Sequence, residues 1–279
     1  MKWKRVYVEI TNQCNLHCDF CIHNQREPRF MSVAEFAHVI QEVRPYCEYV
    51  YLHVLGEPLM HPHLEALLKI CKEQQMQVML TTNGTLLAKC LTLLQKYPPR
   101  QISISLHSFP HQEAALAYLL EVMQAADVLA KTSYISYRFW NLREQQMDRA
   151  SYQMWEVLAK HYHFDPTDYG KRRIVLGKQI FLSLEEQFTW PSLQAPFVSA
   201  KGRCLGGEMM IAVLCDGSVV PCCLDSNGDI SFGNLFESRL TDLLASDRYR
   251  QMMEAKQRQE LTKALCKRCA YRTRFVKGA

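Results

Sequence analysis

The chain has 279 residues, 48% hydrophobic and 22% charged, with a formal net charge of +5. That length accommodates one large α/β domain or one domain with a small appendage, and the composition excludes a wholly disordered chain. No uncharged apolar run reaches the ~20 residues that span a bilayer. The basic start MKWKRVYVEI meets Glu9 too soon for a signal peptide, and +5 is too mild to argue for nucleic acid, so a cytoplasmic protein is expected.

Residues 4–10 alternate as a strand and run into a cysteine loop. Ser32 and Glu35 form a capping box ahead of Phe36, Val39, Ile40 and Val43 at helical spacing. Strands follow over 49–54, 77–82, 102–106 and 133–139, with a weaker one over 173–176. Between them lie helices from Leu64 to Cys71 and over 85–96, 111–129 and 149–161. About six such alternations with short connections specify an α/β fold, an open or partial (β/α)6 barrel with its active face at the strand C-termini. Residues 1–180 are expected to form that barrel, with 181–203 as a linker over its mouth. From 204 to 279 a small cysteine-rich domain is expected, with a hairpin over 209–221 turning at Asp216-Gly217 and a helix over 239–253.

Twelve cysteines are far more than a chain with this apolar content needs, and a reducing compartment would keep them from pairing. Soft-metal ligation explains part of the set, and buried small hydrophobes explain the rest. Cys14, Cys18 and Cys21 stand as CxxxCxxC at the end of the first strand. Three thiolates would make a zinc knuckle if His17 or His23 gave a fourth ligand; on a [4Fe–4S] cubane they would leave one iron open for chemistry. Cys204, Cys222, Cys266 and Cys269 would serve zinc or a cubane equally well on local spacing.

The first cysteine loop, CNLHCDFC, resembles the signature of the radical S-adenosylmethionine (SAM) superfamily. The resemblance implies that the open iron chelates SAM and that Phe20 lies by the adenine. Leu55-Gly56-Glu57-Pro58 is similar to the family's GGEP turn, which implies that Gly56 and Glu57 receive the methionine ammonium. Ser105, at the end of ISISLHS, and Arg138, in YRFW, match strand-end positions that approach the ribose or carboxylate of SAM. Asn83-Gly84 matches a family turn and is read as structural.

The later pattern, C-x12-G-x4-C followed by CxxC, is similar to the auxiliary-cluster extension called SPASM, or its single-cluster form called twitch. The x4 count from Gly217 favours Cys222 over Cys223 as ligand. Together the resemblances imply two [4Fe–4S] clusters, SAM and an external electron donor such as a flavodoxin or ferredoxin. The reaction implied is a hydrogen abstraction by a 5′-deoxyadenosyl radical and a net oxidation, either dehydrogenation or peptide modification. The substrate is a small molecule or a peptide; since the chain begins at its first strand, no leader-binding domain is expected ahead of it. A zinc- or cluster-stabilised binding module without catalysis is the competing class.

Overall fold

The computed structural model describes residues 2–109, 112–167 and 171–275. Nine strands form one sheet among them: β1 (Arg5–Val8), β2 (Tyr49–Tyr51), β3 (Gln77–Thr82), β4 (Gln101–Ser105), β5 (Tyr134–Leu142), β6 (Arg173–Val175), β7 (Ile180–Glu186), β8 (Met210–Val213) and β9 (Val219–Val220). Their spatial order is β6-β7-β5-β4-β3-β2-β1-β8-β9. Neighbours from β7 to β8 run parallel, and the edge strands β6 and β9 run antiparallel to theirs.

Helices α1 (Val33–Val43), α2 (Leu64–Glu73), α3 (Leu91–Lys96), α4 (Ala115–Leu129) and α5 (Arg149–Tyr162) connect the parallel strands. The Ser32–Glu35 capping box opens α1, and Phe36, Val39, Ile40 and Val43 bury its inner face. The helix expected over 85–96 runs as turns until Leu91. In the helix expected over 111–129, His111 lies outside the described residues, a 3-10 turn covers Gln112–Ala114, and α4 follows. This is the expected partial α/β barrel.

Two expectations are corrected. The sixth parallel strand is β7, in part of the segment expected as linker, whereas residues 173–175 form only the antiparallel edge. The reason is the alternation of Ile180, Leu182 and Leu184, all buried, with less buried Phe181 and Ser183. The stretch after it, 187–203, holds no helix or strand.

The hairpin expected in the small C-terminal domain also extends the barrel sheet. All four residues of β8 pair with β1, and Trp3 donates its indole N–H to the Gly207 carbonyl at 3.0 Å. One apolar core runs through both regions, from Val6 and Phe36 to Phe232, Leu240 and Tyr249. Helices α6 (Leu240–Ala245), α7 (Asp247–Gln257) and α8 (Ala264–Lys267) complete the chain's helices. The single helix expected over 239–253 divides at Ser246, whose hydroxyl caps α7 by accepting from the Tyr249 N–H. Among the described residues, no helix is long and apolar enough to cross a membrane.

Candidate functional site

The strands aim one set of alternate side chains into a common cavity of about 520 Å³. Arg5 and Tyr7 reach it from β1, Ser103 from β4, and Ser136, Arg138 and Trp140 from β5. Apolar partners on the other face, such as Val6, Ile104 and Tyr137, pack into the core. The cavity's far wall is the C-terminal region, with Cys204, Cys222, Cys223 and Cys269 on its lining.

The first cysteine loop follows β1. Cys14 is exposed, and Cys18 and Cys21 are half-buried. The Cys18 carbonyl accepts from the Cys21 N–H at 3.0 Å, which curls the loop, and the three thiols lie close enough that Cys18 feels Cys14 and Cys21. Burial first, then the Ser108 carbonyl and the neighbouring thiols, set Cys18, whose pKa rises to about 11. Asn83 is more than the structural turn expected of it: its side-chain N–H₂ points to Cys14 Sγ at 3.8 Å and to Asn15 Oδ1 at 2.9 Å. His17 and His23, the candidate zinc ligands, stack on each other with ring centroids 3.7 Å apart.

Beneath this loop lies the turn after β2. Gly56 has φ +75, and a Cβ there would fall 2.4 Å from the Thr11 carbonyl oxygen, so only glycine lets the turn press against the cysteine loop. Glu57 is fully buried behind it. Its carboxylate accepts from the Thr82 hydroxyl (2.7 Å), the Asn83 N–H (2.7 Å) and the Leu59 N–H (3.0 Å). Desolvation outweighs those three donors and raises the Glu57 pKa to about 7.

Phe20 lies against His107, ring centroids 5.0 Å apart, in a second cleft of about 470 Å³ lined also by Cys18, Asn141 and Asp148. His107 belongs to the walls of both the cleft and the cavity. Burial lowers its pKa to about 4, and the neutral ring sits with Nδ1 2.9 Å from the Arg138 carbonyl oxygen. Ser105 is buried at the end of β4, in register with Arg138 on β5. Arg138 lines the cavity and not the Phe20 cleft.

The four later cysteines also converge. Cys222 feels Cys204 and Cys266, and Cys266 feels Cys204 and Cys269, in each case after the larger effect of burial. Burial pushes Cys266 up to about 12. Cys223 turns the other way, toward the Tyr7 hydroxyl, Arg5 and Arg138. Both lie in the turn after β9 and both line the cavity, so Cys222 also feels Cys223, and their different neighbours distinguish them. Cys47 and Cys71 are buried, and Cys215 gives its N–H to Glu9 at 3.0 Å.

The donor chemistry fits iron–sulfur clusters. The cysteines are free thiols, gathered as a set of three and a set of four. Among the described residues, no three His, Cys, Asp or Glu side chains close tightly enough to hold a single metal ion, the arrangement a structural zinc needs.

Comparison with known proteins agrees with the geometry. The radical SAM superfamily model matches residues 8–129, and the SPASM iron–sulfur cluster-binding domain model matches residues 204–270. The chain therefore belongs to the radical SAM superfamily and carries a SPASM domain, which implies [4Fe–4S] clusters and SAM as its cofactors. It is 32% identical over 88 residues to the tungsten-containing aldehyde ferredoxin oxidoreductase cofactor-modifying protein of Pyrococcus furiosus, a match covering 30% of this chain and 25% of that one. Its fold is similar to that of BtrN in complex with SAM and 2-DOIA, with TM-score 0.63 and 17% identity over 97% of this chain and 94% of that one. It is also similar to SuiB of Streptococcus suis bound to the precursor peptide SuiA, with TM-score 0.61 and 14% identity over 99% of this chain and 74% of that one.

Sequence reading missed His53, Tyr7 and Trp140, which line the cavity. The signal for such residues is present as polar or aromatic residues at alternate positions of otherwise apolar strands, such as Q-I-S-I-S in β4 and S-Y-R-F-W in β5.

Proposed function

We propose that this enzyme carries out a net oxidation of a substrate held in the barrel cavity, as a radical SAM oxidoreductase or maturase. The observation that carries the reading is the cavity's position between two cysteine sets, with the Cys18 and Phe20 cleft on one side and Cys204, Cys222 and Cys269 on the other. When bound, the cofactors supply a 5′-deoxyadenosyl radical from SAM at the three-cysteine site and an electron acceptor at the four-cysteine site.

Cys14, Cys18 and Cys21 would hold the first cluster, and Cys204, Cys222, Cys266 and Cys269 the auxiliary one. Gly56 lets backbone carbonyls approach the methionine end of SAM, Glu57 holds that turn, Phe20 flanks the adenine, and Ser105 faces the ribose. The apolar and aromatic lining, with Tyr7, Trp140 and Trp190, excludes water from the reacting carbon and restricts its position. Both substrate classes remain within this reading: BtrN is seen with the small molecule 2-DOIA, and SuiB with a peptide.

The test is metal content and SAM cleavage. The reconstituted chain should hold about eight irons. The variant with Cys14, Cys18 and Cys21 all changed to Ala should hold about half and form no 5′-deoxyadenosine. Undiminished cleavage in that variant would refute the assignment.

A further inference from the structure

The cavity lining contains three arginines, Arg5, Arg138 and Arg272, and no aspartate or glutamate among the described residues. Two of the three have other duties. Arg272 also has a buried Nε without a partner, but it gives an N–H to the Ser199 carbonyl at 3.1 Å and lies beside Cys269. Arg5 lies over the Tyr51 ring, 5.8 Å from its centroid, and bonds to Tyr7.

Arg138 is different. Among the described residues, its guanidinium makes one hydrogen bond, a long one from Nη1 to the Thr81 hydroxyl at 3.5 Å, and its Nε is buried without a partner. Trp140 covers one face of the guanidinium at 3.3 Å. The groups whose charge it feels are Tyr7, Tyr271 and Cys223, none of them a carboxylate and none in the four-cysteine set. Burial lowers its pKa to about 10, so it is still a cation at neutral pH. Beside it, His53 is a neutral ring, its pKa lowered to about 3 by burial and then by Arg138, and its Nδ1 is another buried atom without a partner.

A cation taken out of water is tolerated when an anion and good hydrogen bonds compensate it. Among the described residues, the chain offers Arg138 a π-face and one weak acceptor, and Arg138 lines the cavity with a planar guanidinium of the kind that suits an oxyanion. We propose that the cavity receives a substrate bearing a carboxylate or phosphate on a flat apolar body, with Arg138 as the counter-charge. The apolar body fits among Tyr7, Tyr51, Trp140, Phe188 and Trp190. The inference rests on the reading that the cavity is the substrate site. It moves Arg138 from the SAM role implied by resemblance to a substrate role, in keeping with its absence from the Phe20 cleft.

Calorimetric titration of the cluster-reconstituted, SAM-loaded protein with phenylacetate, phenyl phosphate and the uncharged phenylacetamide tests this. At least one acid should bind about tenfold or more tightly than the amide, and the tighter acid identifies carboxylate or phosphate as the group. Arg138→Met should abolish the preference, and Arg138→Lys should keep part of it. Equal binding of acids and amide to the native protein overturns the inference without any variant. So does an undiminished preference in Arg138→Met, or a loss of SAM affinity there as large as the loss of acid affinity. If the native protein cleaves no SAM at all, the proposed function fails; if it cleaves SAM but shows no anion preference, this inference alone fails.

Discussion

Glu57 shows how one buried side chain serves a cofactor site from behind. Its three hydrogen bonds join the turn after β2 to the end of β3, while Gly56 touches the cysteine loop. Glu57→Ala would strand the Thr82 hydroxyl and two backbone N–H groups in a dry interior, at about 1–3 kcal/mol each. We expect a stability loss of about 3 kcal/mol or more together with weaker SAM binding, both clusters being retained. Unchanged SAM affinity in a destabilised protein would separate the turn from the cofactor. Glu57 also gives stability a pH dependence. Its folded pKa of about 7 lies above the ordinary 4.5, so its contribution is complete below pH 4.5 and is lost as pH rises through 7. Urea unfolding across that window should slope less steeply for Glu57→Gln than for the native chain.

Among the elements, Glu9 is the junction. Its buried carboxylate accepts from Arg26 Nη2 at 2.7 Å, from the Leu55 N–H after β2 at 3.1 Å and from the Cys215 N–H after β8 at 3.0 Å. Removing one partner of a buried ion pair costs about 3–5 kcal/mol. Glu9→Ala is therefore expected to lower the denaturation midpoint by that equivalent and to loosen the hairpin, read as faster amide exchange in β8. A surface-like loss below about 0.5 kcal/mol would mean that the junction is dispensable. None of this was legible in the sequence, where Glu9 was only a charge ending an apolar run. Local periodicity did reveal α1, α2 and β3 to β5, whose patterns are fixed by their own burial. The strand β7 was equally patterned but adjoined the aromatic and proline-bearing run of 188–196. The pairing of β1 with β8 joins residues about 200 apart, and no local pattern carries such a partnership. At the site, cysteine spacing announced the two thiol sets, whereas the unpartnered Nε of Arg138 appears only when strands lie side by side.

For the molecule as a whole, the question is whether the auxiliary cluster moves electrons or only holds the fold. Cys204, Cys222 and Cys269 line the cavity proposed to hold the substrate, a position suited to both. If the role is redox, Cys266→Ala with Cys269→Ala should still form 5′-deoxyadenosine, but no oxidised product should accompany it. A purely structural cluster predicts an unstable or insoluble variant instead. The comparison is made on a variant first shown to be folded, by the ratio of product to 5′-deoxyadenosine. A native ratio would rule out an obligatory electron-transfer role.

The parallel pairing of β1 with β8 also orders events on the ribosome. β1 is made about 200 residues before β8, the strand that covers its second edge and ends at Val213. At about 5–20 residues per second, that edge waits roughly 10–40 s for its partner. During this interval the nascent barrel presents the bare ladder of β1, with the three-cysteine loop following that strand. An exposed edge invites pairing with another chain. Iron–sulfur loading of Cys14, Cys18 and Cys21 can thus begin before the four-cysteine set has left the exit tunnel, whereas the barrel edge stays adhesive until β8 has been made. Yield from rapid overexpression should therefore depend more on translation speed and chaperone supply than the stability of the finished fold would imply.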